Sequence, residues 1–240
     1  MLLPLQAESP TFLRPVATYA LIVANVAVFI FQVVLGPLGE QVFIFKTATI
    51  PFEMTHLIGR NTIPIPGTSL LYPDALVPFP LTLLTAMFVH GGFMHLGGNM
   101  LYLWIFGNSV ESAMGSARYL LFYIMTGLCA TLVHVMSEPN SVIPMIGASG
   151  AIAGVLGAYF ILYPKASIKT FILLFIFIQI IHVPAVIILG FWFLRQILGI
   201  GSDGVAWYAH IGGFLVGMFI VRRFLKRGTS MIDIDRKDKW

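Results

Sequence analysis

The order of apolar and polar positions divides the chain into six apolar stretches, at residues 16–35, 94–110, 119–136, 149–163, 168–194 and 205–221. A membrane-crossing helix needs about 20 such residues, so each stretch predicts a transmembrane helix. The fifth is long and interrupted by Pro184. The connection at 36–93 carries Pro37, Pro51, Pro64, Pro66, Pro73, Pro78 and Pro80, which forbid a continuous helix. It is nonetheless rich enough in Val42, Phe43, Ile44, Phe45, Phe52, Leu70 and Leu71 to lie partly in the membrane interface. The pattern therefore predicts an all-α membrane protein. A polar N-terminal segment (1–15) precedes a six-helix domain (16–221) with a long, partly embedded first loop. A basic tail (222–240), expected to be disordered, follows.

Composition supports this class. The chain of 240 residues is 58% hydrophobic and 10% charged, with a mean hydropathy of +0.90, whereas soluble domains carry about 25% charge. The net charge of +4 is concentrated after residue 221. It reads as attraction to a membrane surface and as a topology signal, not as nucleic-acid binding. Cys129 is the only cysteine, which excludes a disulfide framework and a cysteine-based metal site. The first apolar stretch runs on for about twenty residues without a small-residue cleavage motif, which suits a retained span.

Lys and Arg near the span ends set the orientation. Arg118 lies between spans 2 and 3, Lys165 and Lys169 between spans 4 and 5, and the tail is basic. The connections between spans 3 and 4 and between spans 5 and 6 hold almost no positive charge apart from Arg195. Both termini are then cytoplasmic, with Lys46 and Arg60 as minor dissent in a long loop. Spans 2, 4 and 6 run from outside to inside. At 1.5 Å per residue, Ser149 stands about 21 Å above the cytoplasmic end of its span. His210 and Asn99 stand about 18 Å above theirs, and His95 about 24 Å. Four polar residues therefore share one layer within a hydrocarbon core about 30 Å thick. Span 4 is too short to cross alone, so residues 143–148 must dip into the membrane, where irregular backbone is tolerated only in protein or beside water.

Each of these residues has a bland and a sharp reading. Ser149 opens an apolar, small-residue helix and suits an N-cap. It equally suits a nucleophile beside the free N–H groups and positive end of a helix start. His210 is either bonded to a backbone carbonyl or the general base for Ser149. His95 and Asn99, at i and i+4, share one helix face and can both donate to an oxyanion. The rival is a metal site, which no Asp, Glu or Cys at that depth completes. Gly213-x-x-x-Gly217, with Gly150, Gly154 and Gly157, is the spacing of close helix packing. No carboxylate is placed to orient His210, so a Ser-His pair without Asp is expected. Glu111 reads as a structural anchor bonding loop backbone. His90, near the outer interface, reads as structural, His134 and His182 as structural or gating, and His56 has no assignment.

These residues resemble the motifs of the rhomboid family of intramembrane serine proteases. His95-x-x-x-Asn99 opens the second span, Gly147-x-Ser149-Gly150 the fourth, and Ala209-His210-x-x-Gly213 lies in the sixth. Glu111-x-x-x-Gly115 is similar to a further family feature. The resemblance covers roughly residues 80–221. It implies a six-helix bundle with Ser149 as nucleophile and His210 as base and acid. The Ser149 N–H, Asn99 and His95 would form the oxyanion site, with Gly147, Gly150, Gly213 and Glu111 as structural support. No cofactor or metal is implied. The substrate would be a transmembrane segment of another membrane protein, reaching the site laterally through the lipid beside span 5, under a mobile cap such as 199–204.

The chain departs from the family pattern in two places. Ala153 stands where many members carry an aromatic that supports the histidine, so support must come from elsewhere, an aromatic of span 2 being one source. A Trp-Arg pair in the first loop is not evident. The alternatives are a catalytically silent relative that binds transmembrane segments, which would be expected to lack Ser149 or His210, and a small-solute transporter, whose inverted repeat is not visible. A bacterial inner membrane is the expected location. Oligomeric state is left open.

Overall fold

The computed structural model describes residues 2–9, 11, 14–174, 177–200 and 206–226. A strand β1 (Leu2–Glu8) precedes helix α1 (Val16–Val34). The first loop folds into α2 (Gly36–Thr47), α3 (Pro51–His56) and the short α4 (Thr82–Thr85), with 3₁₀ turns at Arg60–Thr62, Phe79–Leu81 and Ala86–Phe88. Then come α5 (Phe93–Met114), α6 (Ser116–Ser137), α7 (Ser149–Leu162), strands β2 (Ser167–Leu174) and β3 (Phe177–Pro184), α8 (Ala185–Ile197) and α9 (Trp207–Phe224).

Helix α7 forms the centre. Ala151, Ala153, Val155, Leu156, Ala158 and Tyr159 are all buried, because α5, α6 and α9 surround it. Small residues allow that closeness. A Cβ on Gly213 would fall 2.2 Å from the Gly150 carbonyl oxygen, and one on Gly217 would fall 2.1 Å from that of Gly154. The α7 and α9 backbones are therefore in direct contact, as close-packed membrane helices allow. The outer surface is apolar instead of charged: Val23 is 66% and Phe219 80% exposed. Water would not tolerate so broad an apolar shell, whereas lipid does.

Hydropathy predicts six crossings. Among the described residues, Val16–Val34 and Ser116–Ser137 are long and apolar enough to cross alone. The pair Phe79–Phe88 and Phe93–Met114, bent by 81°, supplies a third crossing if counted as one span. Ser149–Leu162 and Ala185–Ile197 are apolar but shorter. The first loop supports the dipping segment before α7. Thr49 and Met145 exchange backbone hydrogen bonds of 3.1 and 2.7 Å, and the Tyr72 hydroxyl donates to the Val142 carbonyl. The loop has its own anchor in Arg60, buried at 2% exposure. Arg60 pairs with Glu53 and donates to the carbonyls of Phe45 and Ala48 at 2.7 and 2.9 Å. A guanidinium so paired carries no weight as a topology charge.

The fifth stretch differs from expectation. Instead of one helix over 168–194, it forms the β2–β3 hairpin followed by α8. A continuous apolar run does not by itself distinguish helix from buried strand. This one is dense in Ile168, Phe171, Ile172, Ile178, Ile180, Ile181 and Val183, and β-branched and aromatic residues favour a pleated surface. The N-terminal segment, read as merely polar, completes the ladder: β1 pairs antiparallel with β2, giving the order β1-β2-β3. Pro184 lacks an N–H to continue the ladder and sits immediately before α8. Positions 201–204 of the expected cap and 227–240 of the expected tail lie outside the described residues.

Candidate active site

The site lies where the N-terminal turns of α7 and α9 meet the first turns of α5. Gly147 makes the approach to α7 at φ +111°, a conformation glycine adopts readily. A Cβ there would also fall 2.7 Å from His95 Nε2. The position therefore needs glycine for both its backbone angle and the ring beside it. Ser149 follows as the first residue of α7, where the backbone N–H groups of the opening turn have no intrahelical acceptor.

From α9, His210 reaches across. Its Nε2 lies 2.8 Å from Ser149 Oγ, and its Nδ1 lies 2.7 Å from Gln196 Oε1. On the α5 side, His95 Nδ1 accepts from the Gly91 N–H at 3.3 Å, so a neutral His95 carries its proton on Nε2, facing Gly147. Asn99 is 7% exposed. Its Nδ2 has no partner among the described residues, although a buried donor ordinarily has one. His95, Asn99, Ser149 and His210 all line one cavity of about 930 Å3. This arrangement has the parts of acyl-transfer chemistry: a hydroxyl on an imidazole nitrogen, with free donors beside it.

The remaining residues divide clearly. Gly150 and Gly213 lie at the α7–α9 contact. Glu111, fully buried, bonds chiefly to the start of α1: its carboxylate accepts from the backbone N–H groups of Ala17 and Thr18, and from the Thr18 and Ser116 hydroxyls. His134 lines the cavity wall. The other histidines stand away from the Ser149–His210 contact. His90 is clamped through its backbone by the Gln32 amide. His182 approaches Glu8 at 3.3 Å, and His56 stacks on Phe52. Among the described residues, no three His, Cys, Asp or Glu side chains gather as a metal site would need.

Sequence reasoning missed two neighbours that α8 gives His210. One is Trp192, with ring centroids 5.8 Å apart; a second ring, Trp207 of α9 itself, meets the imidazole edge-on at 6.4 Å, and neither is an aromatic of span 2. Ala153 is itself fully buried at the α7–α9 contact and offers no ring to the imidazole. Gln196 is the other. The signal that would have found both is one helical turn: Trp192 and Gln196 are i and i+4 in a helix whose one charged residue is Arg195. At 1.5 Å per residue, Gln196 lies about 18 Å along α8 from Pro184, the same rise that separates His210 from Arg222 in α9.

Comparison with known proteins agrees with the motifs. The Rhomboid domain family profile matches residues 80–227, more than half of the chain. The chain is 39% identical over 137 residues to "Rhomboid protease GluP" of Bacillus subtilis, a match covering 57% of this chain and 24% of that protein. It is 34% identical over 152 residues to "Rhomboid protein 1, mitochondrial" of Saccharomyces cerevisiae, covering 58% of this chain and 40% of that one. "Rhomboid-like protein 11, chloroplastic" of Arabidopsis thaliana is 27% identical over 168 residues, covering 64% of this chain and 55% of that protein. The chain thus spans less than two thirds of the length of these relatives, two of which are named mitochondrial and chloroplastic. It is a membrane protein, and it belongs to the rhomboid family.

Proposed function

We propose that the chain is an intramembrane serine endopeptidase that hydrolyses a peptide bond in or near a transmembrane segment of another membrane protein. In this reading α1, α5, α6, α7, α8 and α9 are the six spans of a domain over residues 16–221. Residues 1–15 and 222–240 then lie on the cytoplasmic side. The observation that carries the proposal is the 2.8 Å approach of Ser149 Oγ to His210 Nε2 in a cavity walled by apolar helices.

His210 Nε2 takes the hydroxyl proton as Ser149 Oγ attacks the scissile carbonyl carbon. The charge that develops on the carbonyl oxygen meets the Ser149 backbone N–H, Asn99 Nδ2 and His95 Nε2. His210 then gives its proton to the leaving amine as the C–N bond breaks. Water from the cavity attacks the acyl-serine, and its proton returns through His210 to Ser149 Oγ as the acid is released. The substrate helix approaches laterally from the lipid beside α8 and unwinds near its outer end to present the bond.

The test is cleavage of a reporter transmembrane substrate by the full-length protein in detergent, beside Ser149→Ala and His210→Ala. Cleavage by the unmodified chain, lost in both variants, is expected. Cleavage that survives Ser149→Ala contradicts the mechanism, and absence of any cleavage favours the silent, segment-binding alternative.

A further inference from the structure

We infer that Gln196 is a positioning residue that holds His210 in the one tautomer able to take the Ser149 proton; the inference rests on the endopeptidase reading. Gln196 is 7% exposed near the end of a helix whose neighbouring Leu194 and Ile197 face outward. A primary amide buried among apolar side chains is costly unless its groups are bonded. Both ends of this one are used. Its Nε2 lies 3.1 Å from the Trp192 carbonyl oxygen, one turn back, and its Oε1 lies 2.7 Å from His210 Nδ1.

The pair of contacts fixes the amide's direction. A backbone carbonyl only accepts, so the end facing Trp192 must be the NH2 group, and turning the amide over would set two oxygens against each other. The end facing His210 is then an oxygen, which also only accepts. His210 Nδ1 must therefore carry the proton, leaving the lone pair on Nε2 toward Ser149 Oγ. The opposite tautomer would leave Nδ1 and Oε1 as two facing acceptors and would set an N–H against the hydroxyl proton to be removed. An amide performs this orientation without burying a charge. A carboxylate here would need compensating partners in an apolar wall. Gln196 thus supplies the third position that the Ser-His pair lacks in sequence, and supplies it uncharged.

The test compares the full-length chain with Gln196→Met, which keeps the length and removes the acceptor, and Gln196→Glu, which keeps an acceptor oxygen. The melting temperature of all three is first measured in detergent, and that of Gln196→Met should match the unmodified chain. The 15N resonances of His210, assigned by difference from His210→Ala, report the tautomer directly. In the unmodified chain a protonated Nδ1 is expected. In Gln196→Met a shift toward protonated Nε2 is expected, with kcat lowered roughly 10- to 100-fold at unchanged KM. Gln196→Glu should retain the Nδ1-protonated tautomer, because an oxygen still faces His210, while losing the donor to the Trp192 carbonyl and with it some stability, so its kcat should lie between those of the unmodified chain and Gln196→Met. Equal kcat and the same tautomer in Gln196→Met would overturn the inference while leaving the Ser-His reading intact. An unmodified chain that neither cleaves substrate nor reacts with a fluorophosphonate removes the reading itself.

Discussion

The Glu111 carboxylate accepts both the backbone N–H and the hydroxyl of Thr18, at 2.8 and 2.7 Å. The C-terminal end of α5 thereby caps the first turn of α1, which starts after Pro15 without a side-chain cap of its own. Glu111 and Thr18 are fully buried, so water does not take over these bonds. Glu111→Gln, which turns an NH2 group toward N–H donors, should destabilise the chain by about 2–3 kcal/mol. The measurement is thermal unfolding in detergent, and an unchanged melting temperature would remove the capping role.

The α7–α9 contact should tolerate no side chain. Gly213→Ala places a methyl group 2.2 Å from the Gly150 carbonyl oxygen, and backbone on both sides cannot turn aside. The helices must separate, at a cost of 1–3 kcal/mol or more by the usual scale of overpacking. The Ser149–His210 contact should open with them, abolishing cleavage. Gly97→Ala is the control, since a Cβ there meets nothing within 4 Å. It should be neutral or slightly stabilising.

Asn99 separates activity from stability. Its Nδ2 is buried with no partner among the described residues, so Asn99→Ala removes no bond from that nitrogen in the resting protein. The melting temperature should therefore hold or rise. If the amide meets the oxyanion, kcat should fall roughly 100- to 1,000-fold. Parallel loss of stability and activity would argue for a packing role instead.

Trp192 should matter for rate more than for folding. It is half-buried beside His210 and Phe214, and Trp192→Leu keeps an apolar side chain on that face. Loss of the ring that holds the imidazole should lower kcat roughly 10-fold or more, with little change in melting temperature. Adding Tyr at Ala153 should not compensate, because Ala153 is already fully buried and a larger side chain there overpacks the helix contact.

Much of the arrangement can be read from sequence because rise per residue is fixed along a helix. Counting along spans 2, 4 and 6 puts His95, Asn99, Ser149 and His210 in one layer, and all four line one cavity. The fifth stretch was not legible. Hydropathy measures apolarity without shape, and Ile168, Ile172, Ile180 and Ile181 serve a strand as well as a lipid-facing helix. With that stretch misread, Trp192 and Gln196 lost their register, and the partners of His210 went unseen. The pairing of Arg60 with Glu53 was not legible either, since nothing in the pattern of the loop joins the two.

The most direct measurement is the site of covalent reaction with a fluorophosphonate, mapped by peptide mass spectrometry on the full-length protein. A hydroxyl 2.8 Å from an imidazole nitrogen should be the activated one among all the serines. A single adduct on Ser149, absent from His210→Ala, is the expected result. An adduct on another serine, or labelling of Ser149 that persists without His210, would contradict the claim that these two residues form the reacting pair.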